Sequence, residues 1–263
     1  MKHIESISVR GFDSNTFPFS LPMSKKDFTL QLGKSIAVIA GDNGSGKSTL
    51  LEGIAYKLSL PAISSHSIIT DDTFEPARNL FDNISIRWRN KTPHGLFFRA
   101  EDYIGFVRSI SSMKTEMQKE IEEMKEYIQG EGFVRAKSVL LNQINELETK
   151  YKGKLEHKSH GQGFLEIFNS RIQQNGVYVF DEPEASLSPL KQLSLISLLM
   201  QANKNTDAQF IIATHSPIIM GIPDAIIYYI TDEGLQKVPY EETEHYTIYK
   251  SFLDNKERFL RYL

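Results

Sequence analysis

The sequence contains no cysteine, and this absence excludes several kinds of chemistry at once. A chain without cysteine has no disulfides, thiolate zinc sites, iron–sulfur clusters or cysteine nucleophiles. It also has no apolar run of the roughly 18 residues that a membrane span needs, and its first residues lack the apolar core of a signal peptide. We therefore expect a cytoplasmic protein without a membrane segment.

An excess of basic charge is missing as well. The 263 residues include 30 Lys and Arg against 33 Asp and Glu, which gives a formal net charge of −3. This balance argues against a highly basic coat for nucleic acid, although it is compatible with a local basic patch. A hydrophobic content of 40% with 24% charged residues is typical of a folded globular protein.

Predicted strands and helices alternate along most of the chain, which indicates an α/β fold with a mostly parallel sheet covered by helices on both faces. Strands are predicted at 4–9, 35–40, 83–88, 95–98, 177–180, 209–213 and 225–230. Helices are predicted at 47–58, 163–174 and 188–202, and a loop at 61–82.

The middle of the chain has helical periodicity instead. Apolar residues recur every three or four positions over 113–128 and over 140–151, with Gly130 and Gly132 between them. This pattern predicts two amphipathic helices of about 17 residues, each roughly 25 Å long. We expect the N-terminal part of the α/β lobe at 1–105, an inserted helical lobe at 106–165 and the C-terminal part of the α/β lobe at 166–263, with nothing left for a further domain.

Residues 41–48 match the pattern G-x-x-x-x-G-K-[ST] in full, between a predicted strand and a predicted helix. Its glycines let backbone N–H groups turn inward around a phosphate, and Lys47 is expected to reach the β and γ oxygens of ATP. Ser48 is expected to ligate Mg²⁺. A chance match, at odds of roughly one in a hundred, is the alternative. The expected nucleotide contacts are Asn43, Gly44, Ser45, Gly46, Lys47, Ser48 and Thr49.

Two later predicted strands end in candidate catalytic residues. Asp181 is expected to hold Mg²⁺ through water, and Glu182 to act as general base on the attacking water. His215 follows the next strand, and strand carboxyl ends gather at the ligand crevice, so it can contact the γ-phosphate or the catalytic water. The alternatives are a solvated acidic pair and an ordinary core or loop histidine.

Together these residues resemble the ABC-type P-loop ATPases, more specifically the soluble "AAA family" ATPases related to recombination-repair and chromosome-maintenance heads of the RecF and SMC types. The resemblance covers nearly the whole chain. The similar segments are a first strand at 7–12, Walker A at 41–49, Walker B at 180–183, the D-loop at 184–188 and the switch histidine at 214–216.

Residues 159–163, Ser-His-Gly-Gln-Gly, stand where this family has its signature segment. The resemblance implies an ATP-sandwiched, head-to-tail homodimer in which Ser159 and Gly161 meet the γ-phosphate held by the partner. This chain departs from the family because His160 replaces a usual glycine and no leucine precedes the segment. A plain helix cap is the alternative.

The family's glutamine loop has no glutamine here, since residues 97–102 are Phe-Phe-Arg-Ala-Glu-Asp. The segment is similar to an Arg-Ala-Glu element of the soluble relatives, and Glu101 is a candidate contact for Mg²⁺ or its water. A helix-capping carboxylate is the equal alternative. Arg10 and Phe12 are candidate adenine contacts or plain structure.

Lysines at 150, 152, 154 and 158 form a local basic run. It is either a site for nucleic acid or phosphate, or a solvated loop on an otherwise acidic protein.

The resemblance implies a Mg²⁺-dependent enzyme that hydrolyses ATP to ADP and phosphate through Lys47, Glu182 and His215. It would dimerise on ATP and separate after hydrolysis, as a switch for a separate effector protein in DNA repair or defence. The alternatives are the nucleotide-binding subunit of an ABC transporter and a regulatory module that binds ATP but hydrolyses it slowly.

Overall fold

The computed structural model describes residues 3–12, 14–33, 36–63, 74–150, 160–172 and 175–261. The strands in these ranges are β1 (Ile4–Val9), β2 (Phe28–Gln31), β3 (Ala37–Gly41), β4 (Ile84–Trp88), β5 (Gly95–Arg99), β6 (Val177–Asp181), β7 (Gln209–Ala213), β8 (Ile226–Thr231) and β9 (Gly234–Val238). The helices are α1 (Lys47–Lys57), α2 (Glu75–Asn79), α3 (Ala100–Tyr127), α4 (Glu131–Lys150), α5 (His160–Arg171), α6 (Pro189–Asn205), α7 (Pro217–Met220), α8 (Glu244–Asp254) and α9 (Lys256–Leu260).

The larger sheet has the strand order β5-β6-β7-β3-β8-β9, and its first five strands are parallel. Strand β9 is antiparallel to β8, to which a turn at 232–233 connects it. The strands are apolar on both faces because helices cover both faces. In β3, Val38 and Ala40 pack in the core that contains α5 and α6, while Ala37 and Ile39 pack in the core that contains α1. The predicted α/β fold with a mostly parallel sheet is confirmed.

A smaller antiparallel sheet, with the order β2-β1-β4, was not predicted. Strand β2 has four residues, of which only Leu30 is buried, so the local sequence carries little signal for it. Burial of Ile7 and Leu30 in the same core as α1 stabilises this sheet. The Gln209 side chain joins the two sheets, since it accepts from Ile4 N at 2.8 Å and donates to Ile4 O at 2.9 Å.

The helical lobe is longer than the sequence periodicity predicts. Helix α3 has 28 residues and α4 has 20, which correspond to about 42 Å and about 30 Å. Helix α3 begins at Ala100, directly after β5, rather than near residue 113. The prediction was too short because the first turns pack on the main core through Tyr103 and Ile110, and only the later turns form the hairpin with α4.

The predicted loop at 61–82 is wrong in part, because helix α2 lies within it. Phe74, Ala77 and Leu80 are buried, and this tertiary packing overrides the polar, proline-containing local sequence. Helices α8 and α9 at the C-terminal side were also not predicted. Across the part of the chain that the structure describes, no helix combines the length and apolar character of a membrane span.

Candidate nucleotide-binding and hydrolysis site

The predicted phosphate loop joins β3 to α1, as the sequence indicated. Gly41, Gly44 and Gly46 have φ values of 147°, 76° and 103°, a region that side-chain-bearing residues rarely adopt. Gly46 is the N-cap of α1, so the loop delivers its backbone N–H groups to the positive end of that helix. The strand–loop–helix geometry therefore suits a bound phosphate.

Gly46 also has no room for a side chain. A Cβ at this position would lie 2.6 Å from Met23 Cγ and 3.2 Å from Leu21 Cδ1. We expect Gly46→Ala to weaken ATP binding about tenfold or more and to lower the free energy of unfolding by roughly 1–3 kcal/mol. Calorimetric titration with ATP and urea denaturation measure the two effects.

Gly33 provides the matched control for that substitution. Its φ is +50°, and a Cβ there would meet nothing within 4 Å. Gly33→Ala is expected to cost stability through backbone strain alone, with ATP binding unchanged. Equal ATP affinities for Gly46→Ala and the unaltered chain would contradict the assignment of this loop.

Lys47 is the first residue of α1, directly after the loop, and is 4% exposed. Its Nζ donates hydrogen bonds to Gly41 O at 2.9 Å and to Asp42 O at 2.8 Å. Burial lowers the pKa of Lys47, and the nearby Glu182 and Asp181 carboxylates oppose that change. The ammonium group is thus held over the phosphate loop and close to both acidic residues of the pair.

Asp181 ends β6 and is 7% exposed. Asp181 Oδ1 has no hydrogen-bond partner in the part of the chain that the structure describes. Burial raises the pKa of Asp181 to about 7; the nearby Ser48 hydroxyl opposes this rise, and the Glu182 charge adds to it. A buried carboxylate oxygen with unused bonding capacity, beside a hydroxyl and a phosphate loop, fits a Mg²⁺ ligand.

The ligands of such an ion would come only partly from the protein. Within the described ranges, no group of three or more His, Asp or Glu side chains is arranged to hold a metal. Mg²⁺ commonly takes one or two protein ligands and completes its shell with phosphate oxygens and water. Ser48 and Asp181 match that requirement.

Glu101 belongs to a separate cluster around Arg99. It lies in the first turn of α3, its side chain is 73% exposed, and its carboxylate is 3.1 Å from Arg99 Nη1. Arg99 also pairs with Glu52 at 3.0 Å and with both carboxylate oxygens of Asp102 at 2.9 and 3.0 Å. Glu101 is therefore held by Arg99, and its contact with Mg²⁺ stays a prediction.

The Arg99 cluster was not recognised from the sequence, although it lies against the site. Arg99 is paired in register with Asp181 across β5 and β6, and Glu52 is one turn after Ser48 on α1. Burial raises the pKa of Glu52 to about 7, and the charge and hydrogen bond of Arg99 oppose this rise. Arg99, on β5, thus lies beside the carboxyl end of β6, on the side opposite to β7 and to the phosphate-loop strand β3.

Glu182 and His215 are brought together, as the shared sheet edge predicted. Glu182 has a φ of +48°, which is uncommon for a side-chain-bearing residue, and its N–H donates to Ala213 O at 2.9 Å. With this backbone geometry the Glu182 side chain points toward His215, and Glu182 Oε1 lies 3.5 Å from His215 Nε2. The Glu182 side chain is 43% exposed, so water can reach it.

Glu184 anchors the segment that carries His215. Its Oε1 accepts hydrogen bonds from the N–H groups of His215 at 2.7 Å and of Ser216 at 3.2 Å. Burial raises the pKa of Glu184, and a hydrogen bond from Thr214 opposes that effect. The sequence assigned Glu184 only to a D-loop-like segment, because nothing local shows which backbone its carboxylate would bind.

The predicted switch histidine contacts His245, which in turn contacts Tyr229, and no sequence motif marks either residue. His215 Nδ1 lies 3.3 Å from His245 Nε2, and His245 Nδ1 lies 3.5 Å from the Tyr229 hydroxyl. Tyr229 is on β8, next to the phosphate-loop strand, and His245 is in the first turn of α8. The first contact joins residues 30 apart in the chain, and the second joins residues 16 apart.

A pocket of about 360 Å³ adjoins the phosphate loop. It is lined by residues 42–45 of the loop, Pro22, residues 229–232 and Glu244. Neither Arg10 nor Phe12 lines it, and the Phe12 ring packs against Phe19 at 4.5 Å between centroids. Their predicted contact with adenine stays a prediction.

The signature-like segment is only partly within the described residues. Helix α5 begins at His160, which places Gly161 in its first turn, whereas Ser159 lies outside the described ranges. The lysines at 152, 154 and 158 also lie outside them. The predicted roles of Ser159 and Gly161 stay predictions.

One family model and one sequence relative match parts of this chain. A family model described as "AAA domain, putative AbiEii toxin, Type IV TA system" matches residues 163–221, the part that carries Asp181, Glu182 and His215. A "Putative ABC transporter ATP-binding protein" of Methanosarcina acetivorans is 27% identical over 188 residues, which are 70% of this chain and 51% of that protein. The chain thus spans about half the length of that relative.

Solved structures show the same fold. An ATP-binding cassette of an ABC transporter in its ADP conformation superposes with a TM-score of 0.52 at 15% identity, covering 90% of each chain. The cbiO1 subunit of the Clostridium perfringens transporter complex cbiONQ gives 0.50 at 16% identity, covering 100% of each. The narrower grouping with repair and chromosome-maintenance heads stays a prediction. The chain therefore has the fold of an ABC-type ATP-binding cassette, and its residues 41–48 carry the P-loop pattern.

Proposed function

We propose that the protein is a cytoplasmic, Mg²⁺-dependent ATPase that works as an ATP-driven switch. The observation that carries this proposal is the meeting of four side chains at the carboxyl ends of three neighbouring strands. Lys47 follows β3, Asp181 ends β6 with Glu182 directly after it, and His215 follows β7, in the spatial order β6-β7-β3. Open α/β sheets bind their ligands at this edge.

Binding is the task of the loop and of α1. The inward-turned N–H groups and the helix N-terminus attract the phosphates, and Lys47 would leave its carbonyl partners for the β and γ oxygens of ATP. Ser48 and Asp181 would hold Mg²⁺. When bound, Mg²⁺ neutralises charge that develops on the β and γ oxygens.

Hydrolysis is the task of Glu182 and His215. Glu182 accepts a proton from the water whose oxygen bonds to the γ-phosphorus, while the bond from that phosphorus to the β–γ bridging oxygen breaks and ADP leaves. His215 Nε2 lies 3.5 Å from Glu182 Oε1, and it would contact the same water or a γ oxygen of ATP. The buried Asp181 and the exposed Glu182 thus have separate roles that follow from their surroundings.

A second copy of the chain is proposed to close the site. Glu182 and His215 are open to solvent at 43% and 28% exposure, and exclusion of bulk water strengthens electrostatic catalysis. Ser159 and Gly161 of the second copy would contact the γ-phosphate, so that dimerisation depends on ATP. A separate effector protein would respond to the dimer. The match to a family described with a toxin and a type IV TA system supports a role in defence.

A second candidate function has support of its own. The Methanosarcina relative is described as a transporter ATP-binding protein, which favours a nucleotide-binding subunit of a membrane complex. Co-purification with a membrane protein would support this alternative. A slow regulatory module would instead show equal, near-background ATP turnover in the unaltered chain and in Glu182→Gln.

Lys47→Ala tests the nucleotide site directly. We expect the affinity for ATP to fall about a hundredfold, because a charge-assisted contact with the phosphates is lost. Calorimetric titration of ATP with Mg²⁺ measures the change. Lys119→Ala, in an exposed ion pair on α3, is the matched control and should leave the affinity unchanged. Undiminished ATP binding or hydrolysis in Lys47→Ala would overturn the site assignment.

A further inference from the structure

His215 of the predicted site makes a direct contact with a second histidine, His245, that the sequence did not assign to the site. His215 Nδ1 and His245 Nε2 are 3.3 Å apart, and the ring centroids are 5.5 Å apart. A neutral imidazole has one donor and one acceptor nitrogen, so one ring must donate to the other. The direction of that hydrogen bond decides which nitrogen of His215 carries its proton.

The partner on the other side of His215 indicates the direction of this hydrogen bond. Its Nε2 lies 3.5 Å from Glu182 Oε1, and an ionised carboxylate can only accept. The proton of neutral His215 therefore belongs on Nε2, and Nδ1 must accept from His245 Nε2–H. His245 Nδ1 is then the acceptor that faces the Tyr229 hydroxyl at 3.5 Å.

The surroundings favour neutral rings. Burial lowers the pKa of His215 and of His245, and the Lys47 ammonium lowers both further. Glu182 and Asp42 oppose the change at His215, and Asp42 and Glu244 oppose it at His245. Glu244 also offers its Oε2 to the Tyr229 hydroxyl at 3.5 Å, so that hydroxyl has two acceptors in reach.

His245 is placed rigidly enough to fill this role. The Thr243 side chain caps α8 by accepting from Tyr246 N, and Thr243 itself is buried. The Tyr240 hydroxyl, just before the helix, donates to Pro217 O at 2.8 Å. The start of α8 is therefore tied to the segment that directly follows His215.

We infer that His245 is a positioning residue that holds His215 as the tautomer with its proton on Nε2, so that this N–H faces Glu182 and the reacting γ-phosphate. The catalytic consequence rests on the proposed ATPase function, whereas the tautomer does not. In this arrangement the proton that Glu182 receives comes from water, and His215 keeps its own proton as a fixed donor.

Nitrogen NMR of the protein labelled with ¹⁵N-histidine tests the tautomer without any turnover. The His215 signals are assigned by their loss in His215→Gln. We expect a protonated Nε2 and a bare Nδ1 in the unaltered chain, and a mixture of tautomers in His245→Phe, which keeps a ring but cannot donate. His245→Gln, whose amide can donate in place of Nε2, should restore the single tautomer. A protonated Nδ1 in the unaltered chain, or an unchanged tautomer in His245→Phe, would overturn the inference.

Steady-state kinetics measure the consequence. We expect kcat to fall about tenfold in His245→Phe with KM for ATP unchanged, and to recover most of its value in His245→Gln. His94→Phe, exposed at the amino end of β5, is the matched control and should leave both unchanged. The Nε2–H tautomer in a chain without ATP turnover would contradict the proposed function and support the inference about His245. Normal ATP turnover with the proton of His215 on Nδ1 would support the proposed function and contradict the inference.

Discussion

Glu182→Gln is expected to lower ATP turnover about a thousandfold while ATP binding remains intact. Loss of a general base commonly costs 10²–10⁴ in rate, and glutamine cannot take the proton of the attacking water. Glutamine keeps the length and the Cβ of glutamate, so the backbone at φ +48° and its hydrogen bond to Ala213 O should persist. The substitution therefore separates chemistry from binding.

Size-exclusion chromatography of the same variant tests the switch. With hydrolysis blocked, the ATP-bound homodimer should accumulate when ATP and Mg²⁺ are present and should be absent without nucleotide. Glu233→Gln, in the exposed turn between β8 and β9, is the matched control and should hydrolyse ATP normally. If Glu182→Gln stays monomeric at saturating ATP, the ATP-sandwiched dimer is wrong. If its ATP turnover equals that of the unaltered chain, Glu182 is not the general base.

Arg99→Met is expected to lower the free energy of unfolding by about 3–5 kcal/mol. Arg99 is buried and pairs with Glu52, Asp102 and the exposed Glu101. Removal of one partner of a buried ion pair leaves uncompensated charge in a poorly solvated place, which costs far more than loss of a surface pair. Phe74, whose ring lies 4.2 Å from the guanidinium carbon, would lose a cation–π contact as well.

Urea denaturation at several pH values measures this loss. In the unaltered fold, burial raises the pKa of Glu52 from 4.5 to about 7. Arg99 opposes this rise because its charge favours the ionised carboxylate. Without Arg99, the ionised Glu52 carboxylate destabilises the folded state more. The decrease in the free energy of unfolding should therefore be larger at pH 8, where Glu52 is ionised, than at pH 5, where it holds its proton. The exposed Glu101→Gln should change stability by less than about 1 kcal/mol.

A second variant keeps this prediction decisive. Glu52→Gln added to Arg99→Met removes the uncompensated buried charge and should recover part of the lost stability, most clearly at pH 8. A loss below about 1 kcal/mol in Arg99→Met alone would show that the cluster contributes little. A loss that does not depend on pH would show that Glu52 is not the group left uncompensated.

Much of the candidate site was predictable because its pieces are local. The phosphate loop requires glycine at three positions with positive φ, and a lysine at the start of a helix, so eight consecutive residues define it. Asp181 and His215 each follow a short apolar strand, and the strand boundaries agree with prediction to within one residue. Parallel strands align their carboxyl ends, which explains why these side chains meet.

The contacts that hold these side chains were not predictable. Arg99 meets Glu52 across 47 residues, Glu184 meets His215 across 31, and His215 meets His245 across 30. No local pattern indicates which distant element packs beside another. Pairing of β2 with β1, the length of α3 and the presence of α2 likewise depend on burial that the local sequence does not show.

The sequence by itself determined the chemical groups of this protein and the order in which strands present them. Glycine flexibility, apolar strand runs and helix periodicity act over a few residues and can be read there. Only the tertiary structure decided the surroundings of those groups: the burial of Asp181, the exposure of Glu182 and the contact of the His215 imidazole with a second histidine. These properties depend on desolvation and on donors from distant segments, which exist only after the sheet and its helices have packed.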